Sequence, residues 1–215
     1  MRIMFMWSGG VESTSMVKRY LETTEHEVFT HYVRMNSREG RMAYEDAAVE
    51  RLLPLLQAIR PFNHSSSTLE LIGGKGLAWD FQVLYPIGLV AMRHFRCEQV
   101  NRGLCQEDNW HRQEGMAPLR NPFGNGEHRH ATLRKACLHM LQGSETLDSV
   151  APFLPEYEWP KAKHWQNLGE LAPLTWSCRR PVAGRTCGRC HACTDRAAAE
   201  RGTSDIPEAR AMLGQ

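Results

Sequence analysis

Long apolar runs are missing from this sequence. The longest ones, such as Ile3 to Trp7, fall far short of the roughly 20 residues that a membrane-spanning helix needs. The stretch from Met1 to Trp7 is also too short for a secretory signal peptide. We therefore expect a cytoplasmic protein with no membrane partner.

An excess of charge of one sign is missing as well. The 26 lysines and arginines nearly balance the 24 aspartates and glutamates, which leaves a net charge of +2. This balance gives no global electrostatic reason to expect a nucleic-acid or membrane partner, so any basic site must be local. With 42% hydrophobic and 23% charged residues, the 215-residue chain has the composition of an ordinary folded domain.

Two common nucleotide-binding motifs are also absent near the start of the chain. Neither the GxxxxGK[ST] spacing nor the GxGxxG spacing follows the first apolar run. In their place stands a glycine loop, which lies between that run and a helix-compatible stretch from 12 to 21. Its candidate anion-binding residues are Ser8, Gly9, Gly10, Val11, Glu12, Ser13 and Thr14.

The glycine loop has the features of an anion cradle. Glycines allow the backbone to approach a phosphate closely, and the amides at the start of a helix attract negative charge. The alternative is a tight strand-to-helix turn in which Ser8 merely caps the helix.

Strand and helix patterns alternate after this loop. We predict strands over 2–7, 26–34, 67–72 and 98–104, and helices over 12–21, 44–59 with a kink at Pro54, 81–95, 129–142 and 161–171. Such alternation predicts an α/β fold, a doubly wound parallel sheet with helices on both faces and sites at the carboxyl ends of its strands. The polar stretch 106–128 is predicted to be a long loop near that edge.

Four of the seven cysteines are clustered near the carboxyl end of the sequence. They are Cys178, Cys187, Cys190 and Cys193, which supply the four thiolates of a closed tetrahedral zinc site. An iron–sulfur cluster and a disulfide pair are the competing interpretations. His191 is a spare ligand within reach, whereas Cys97, Cys105 and Cys137 are expected to be buried thiols.

The two motifs together resemble one family. The glycine loop is similar to the Ser-Gly-Gly-x-Asp-Ser signature of pyrophosphate-loop ATPases, with Glu12 in place of the aspartate. The segment from Leu174 to Arg196 is similar to the Thr-x-x-Cys and Cys-Gly-x-Cys-x-x-Cys-x-x-Arg pattern of the 7-cyano-7-deazaguanine synthases. Lys161 begins a Lys-Ala-x-x-Trp sequence that this family also shows.

This resemblance implies an ATP-dependent carbon–nitrogen ligase. The family adenylates 7-carboxy-7-deazaguanine, adds ammonia to give the amide, and dehydrates the amide with a second ATP to give the nitrile used in queuosine biosynthesis. It implies ATP, Mg²⁺ and Zn²⁺ as cofactors, a homodimer, and catalytic roles for Ser8, Glu12, Ser13 and Lys161. It also implies an ATP-binding domain over 1–150 and a helical zinc-binding segment over 151–215 packed on it.

The substrate side departs from the family pattern. Residues 109–115 replace a Gly-Tyr-Pro-Asp-Cys-Arg type stretch, and residues 79–82 replace a Pro-Gly-Arg-Asn. Candidate contacts in this region are Trp110, for stacking on a base, and His111, Arg112 and Arg120, for an anion. Two alternatives therefore stay open: an adenylating enzyme acting on a tRNA base or a macromolecule-borne carboxylate, and a catalytically silent nucleotide-binding module.

Overall fold

The computed structural model describes residues 1–36, 39–70, 80–103, 159–204, 210–211 and 213–214. In chain order its elements are β1 (Arg2–Met6), α1 (Val11–Thr23), β2 (Glu27–Asn36), α2 (Met42–Ile59), β3 (Asn63–Glu70), α3 (Asp80–His94), β4 (Gln99–Arg102), α4 (Lys161–Leu168), a 3₁₀ helix (Gly169–Leu174) and α5 (His191–Glu200). The predicted helix over 129–142, the loop over 106–128 and the boundary at 150/151 lie outside these residues.

The strands form a parallel sheet in the order β3-β2-β1-β4. The chain first adds β2 and β3 on one side of β1 and then crosses to place β4 on the other side. The reversal makes the boundary between β1 and β4 the switch point of the sheet, where ligands of open α/β sheets bind beyond the carboxyl ends.

Helices cover both faces of this sheet. On one face Ile3, Phe5 and Trp7 pack with α1 and α2, and on the other Met4 and Met6 pack with α3. Because β1 is buried on both faces after Arg2, its residues from Ile3 to Met6 are all apolar instead of alternating. The predicted doubly wound α/β fold is confirmed.

Strand β3 begins earlier than the sequence suggested, at Asn63 instead of residue 67. Its first residues are polar, so neither apolar alternation nor a β-branched run marked them. Side-chain hydrogen bonds to β2 hold it: Thr30 Oγ1 lies 2.8 Å from His64 Nδ1, and His31 bonds Ser65 and Ser67 at 2.9 and 3.0 Å. Burial lowers the pKa of both histidines.

Two helix boundaries also differ from the prediction. Helix α2 starts at Met42 and runs through Pro54 to Ile59. Helix α4 stops at Leu168, because Gly169 has a φ of +57°, and the chain continues as the 3₁₀ helix to Leu174.

Helix α4 packs directly on α1. The imidazole Nδ1 of buried His164 lies 3.1 Å from Ser15 Oγ, and the amide of Asn167 donates to the Ser15 carbonyl at 3.1 Å. Leu168 joins Val11, the first residue of α1, in a small apolar cluster. These contacts bring Lys161, the first residue of α4, to the start of α1. Among the described helices, none has both the length and the apolar character needed to cross a bilayer.

Candidate functional site

The glycine loop connects β1 to α1 at the carboxyl edge of the sheet. Gly9 has a φ of +71°, and a Cβ built on it would lie 3.1 Å from the Ala48 Cβ of α2. Only glycine combines this left-handed conformation with so close a helix. The loop backbone at Gly9 is therefore restricted to one conformation.

The start of α1 has no side-chain cap. Its N-cap residue is Gly10, so the alternative in which Ser8 caps the helix does not describe this turn. The Ser8 hydroxyl instead lies 3.5 Å from the Ser13 hydroxyl, and Ser13 Oγ donates to the Gly10 carbonyl at 3.4 Å. The uncapped helix start and these two hydroxyls are groups of the kind that can bind an anion, and they lie on one side of the loop.

Thr14 has a different environment from the two serines. It is fully buried, and its hydroxyl accepts a hydrogen bond from the Trp7 indole at 3.0 Å. This bond ties α1 to the end of β1, so the Thr14 side chain is engaged within the protein.

Beside the loop, Lys161 lies between two carboxylates. Its ammonium is 2.8 Å from Glu12 Oε1 and 3.9 Å from Asp195 Oδ2, and all three side chains are largely buried. An ammonium in a partly dehydrated setting interacts strongly with such partners and with a nearby phosphate. The structure thus brings together two predicted residues, Glu12 and Lys161, and adds Asp195, which sequence reasoning missed.

The carboxyl end of β4 closes the other side of the loop. A Cβ built on Gly103 would overlap the backbone of Ser13. The approach occurs at the switch point between β1 and β4, so the glycine loop sits where the fold predicts a ligand site. Gly103 was not predicted as a site residue, and its only sequence signal is a glycine directly after a strand.

The four clustered cysteines converge, as their spacing predicted. Their sulfur atoms all lie within 4.8 Å of one another. The sulfurs of Cys187 and Cys190 are 3.9 and 3.5 Å from that of Cys193, and the backbone amides of Arg180 and Cys187 donate to Cys178 Sγ at 3.4 and 3.3 Å. Four thiols this close could hold a metal ion.

The thiols differ in their environment. Backbone amides, first that of Arg189, lower the pKa of Cys187 to about 6, whereas burial raises the pKa of Cys193 to about 12. Thiolates are the metal-binding form, and a bound cation supplies the charge that stabilises a buried thiolate. His191 is exposed on the first turn of α5 and is not part of the four-cysteine group.

One short segment joins the cysteines to the glycine loop. The backbone N–H of Trp176 donates to the Gly9 carbonyl at 3.0 Å, and its indole donates to the Cys178 carbonyl at 2.9 Å. The Trp176 ring stacks on Tyr44 of α2, with centroids 4.6 Å apart. Arg196 of α5 donates to the Thr175 carbonyl at 2.7 Å.

These segment residues were not singled out from the sequence. Trp176 and Arg196 both lie inside the cysteine pattern, which is the signal that could have drawn attention to them. Cys97 is buried, as predicted. Outside the described residues lie Cys105, Cys137, Trp110, His111, Arg112 and Arg120.

Comparison with known proteins supports the fold. No family model and no curated protein matches the sequence. Among solved structures, the chain is similar to the U34-tRNA thiolase NcsA from Methanococcus maripaludis with its 4Fe–4S cluster, at a TM-score of 0.55 and 12% identity. The match covers 99% of this chain and 69% of the thiolase. The chain therefore shares the α/β fold of this thiolase, with a parallel sheet as predicted, and carries a carboxyl-terminal four-cysteine cluster that could bind a metal ion.

Proposed function

We propose that the chain is an ATP-dependent ligase that adenylates a 7-deazapurine carboxylate and uses ammonia to form the amide, the nitrile or both. The observation that carries this proposal is the pairing of Lys161 with the glycine loop at the switch point of the sheet. The resemblance of the loop and of the cysteine segment to 7-cyano-7-deazaguanine synthases supplies the substrate class. The predicted homodimer and cytoplasmic location stay predictions.

Chemically, a carboxylate reacts with ammonia only after one of its oxygens becomes a leaving group. Adenylation does this by cleaving ATP between the α- and β-phosphates, with pyrophosphate as the other product. The Ser8 and Ser13 hydroxyls and the uncapped start of α1 favour binding of the departing pyrophosphate. The Lys161 ammonium stabilises the charge that develops on phosphate oxygens.

Glu12 is the candidate residue for holding Mg²⁺. Its Oε1 already pairs with Lys161, while its Oε2 faces the loop, 3.8 Å from a Cβ built on Gly10. A carboxylate is the oxygen ligand that Mg²⁺ commonly uses together with substrate phosphates. The ion would neutralise phosphate charge when bound, and Lys161 keeps Glu12 oriented toward the loop.

Zn²⁺ is the metal that the cysteine geometry favours. Four thiolates around one zinc ion, with bonds of about 2.3 Å, place their sulfurs about 3.8 Å apart in a tetrahedron. Two of the sulfur separations, 3.5 and 3.9 Å, are close to this value, and all four sulfurs lie within 4.8 Å of one another. In a 4Fe–4S cluster each thiolate binds a different iron, so the sulfurs are spread more widely. The proposed role of zinc is to fold the exposed cysteine loops.

The test is to incubate the purified protein with ATP, Mg²⁺, ammonium and 7-carboxy-7-deazaguanine. AMP release and the mass of the base are followed together. We expect an amide or nitrile mass with matching AMP. Ser13→Ala should lower the rate about tenfold to a hundredfold through loss of a hydrogen bond to charged phosphate, whereas Ser66→Ala, at an exposed serine of β3, should not. Absence of AMP with every component present would contradict the proposal.

A second candidate is adenylation of a tRNA base. The likeness to a U34-tRNA thiolase favours it, and the cysteine segment has a locally basic composition, with no acidic residue between Glu170 and Asp195. Replacing the deazapurine acid by tRNA carrying U34 tests this function in the same assay. AMP release that requires tRNA would favour it, and ATP binding without turnover on either acceptor would favour the silent module.

A further inference from the structure

We propose that the four-cysteine site sets the shape of the glycine loop, with Arg196 and Trp176 as the positioning residues that connect them. This inference rests on the proposed function in taking the loop as the phosphate-binding element and the four cysteines as a zinc site. It gives the metal a role in nucleotide affinity in addition to its role in folding.

The first connection runs through main-chain hydrogen bonds. Arg196 follows the metal ligand Cys193 by about one helical turn on α5 and donates to the Thr175 carbonyl at 2.7 Å. The next residue, Trp176, donates its backbone N–H to the Gly9 carbonyl at 3.0 Å. A displacement of α5 is therefore transmitted to the glycine loop through Thr175 and Trp176.

The second connection runs through the Trp176 side chain. Its indole donates to the carbonyl of the metal ligand Cys178, and its ring stacks on Tyr44 at an interplanar angle of 14°. Tyr44 belongs to α2, the same helix whose Ala48 would crowd any side chain built on Gly9. Trp176 is thus fixed between the cysteine site and the helix behind the loop.

The third connection is ionic. Asp195 lies on α5, two residues after Cys193, and faces Lys161 at 3.9 Å. Lys161 in turn holds Glu12 at 2.8 Å on the loop side. Because these groups are largely buried, a shift of Asp195 changes the charge balance at Glu12 with little screening by water.

The loop is sensitive to such shifts. Gly9 is held in a left-handed conformation, and its carbonyl can accept from Trp176 only while that peptide keeps its orientation. Amides that bind phosphate must point inward together. When the cysteine loops are not held by metal, the restraint on Trp176 is lost and the loop samples other orientations.

The experiment is hydrogen exchange on the full chain in the absence of nucleotide, with zinc bound and after its removal by a chelator. We expect at least tenfold faster exchange of the Trp176 amide and of loop amides 9–14 after removal. The β2 amides 28–33 serve as the internal reference and should keep their protection. Unchanged exchange in the loop would overturn the proposal.

If zinc removal also unfolds the sheet, the exchange rates of the loop cannot be interpreted. A variant that retains zinc then tests the proposal. Arg196→Gln should retain zinc and the protection of β2 while the loop amides exchange faster, with partial recovery in Arg196→Lys. Arg201→Gln, at an exposed arginine just beyond α5, is the matched control and should leave all these readouts unchanged. Normal loop exchange in zinc-loaded Arg196→Gln would overturn the proposal.

ATP binding, measured by calorimetry on the same samples, separates this inference from the proposed function. We expect about tenfold weaker binding in Arg196→Gln. Failure of the unmodified protein to bind ATP would refute the proposed function, whereas the exchange result would still decide whether the cysteine site positions the loop.

Discussion

The glycine loop and the cysteine loops are held by different physical means. Around the glycine loop, Trp7 and Val11 are almost completely buried, and the Gly9 backbone packs closely against α2. Around the cysteines, residues 182–186 are exposed, and Val182 alone has 55% of its surface accessible. Close packing shapes the first region, whereas in the second we expect the four thiols to hold an exposed loop that packing does not cover.

Removing one of the proposed zinc ligands should have the largest effect. Cys190→Ser is expected to abolish zinc binding and to lower the free energy of unfolding by about 4 kcal/mol or more. The physical reason is that metal binding contributes much of the free energy that folds these loops. Metal content and urea unfolding are the measurements.

Cys97→Ala is the control for that variant. Cys97 is a buried thiol in the core beneath α3, and burial raises its pKa to about 11. The substitution should retain zinc and cost about 1–2 kcal/mol. Equal metal loss in both variants would contradict the assignment of the site.

Lys161→Met removes the ion pairs that connect the glycine loop to the helix that follows the cysteines. It leaves the Glu12 and Asp195 carboxylates buried without their shared ammonium. Since removing one partner of a buried ion pair is strongly destabilising, we expect a loss of about 3 kcal/mol in unfolding free energy at pH 7. Urea unfolding measures it.

Lys163→Met provides the comparison two residues further along α4. Lys163 is exposed, and its ammonium lies over the Trp159 ring. Its loss should cost about 0.5–1 kcal/mol. Similar losses of unfolding free energy at positions 161 and 163 would show that the buried ion pairs of Lys161 do not stabilise the protein more than an exposed cation–π contact does.

Two glycine substitutions test whether packing against α2 shapes the glycine loop. Gly9 and Gly40 have nearly the same positive φ, +71° and +63°, but a Cβ on Gly40 meets nothing within 4 Å. Gly40→Ala should therefore cost only the conformational strain of about 1 kcal/mol, and Gly9→Ala about 2–4 kcal/mol because Ala48 must also move. Thermal unfolding of both variants checks this, and equal costs would mean that packing against α2 does not shape the loop.

The smallest expected effect concerns pH. Burial lowers the pKa of His31 below its unfolded value, so the unfolded chain takes up a proton first as the pH falls. His31 therefore contributes stability above about pH 6.5 that is lost as the pH falls from there through its lower folded pKa. His31→Asn should reduce the difference in urea midpoint between pH 7.5 and 5.5, while His94→Asn, at an exposed histidine, should preserve it.

Much of the site could be predicted because its signals are local. The loop from Ser8 to Thr14 follows a doubly buried strand, and its glycines stand where a strand turns into a helix. Cys187, Cys190 and Cys193 are separated by short fixed gaps that bring their sulfurs together. The start of strand β3 differs from the prediction because its first residues are polar and bond Thr30 and His31 through their side chains, which no apolar pattern indicates.

The sequence by itself determined the alternation of strands and helices, the glycine loop between β1 and α1, and the cysteine group, because each depends on residues close together in the chain. Only the tertiary structure decided that Lys161 meets Glu12 and Asp195, that Trp176 binds the Gly9 carbonyl, and that Gly103 closes the loop. These contacts join distant segments. Their geometry depends on how α4 and α5 pack beside α1, which side-chain type and spacing do not specify.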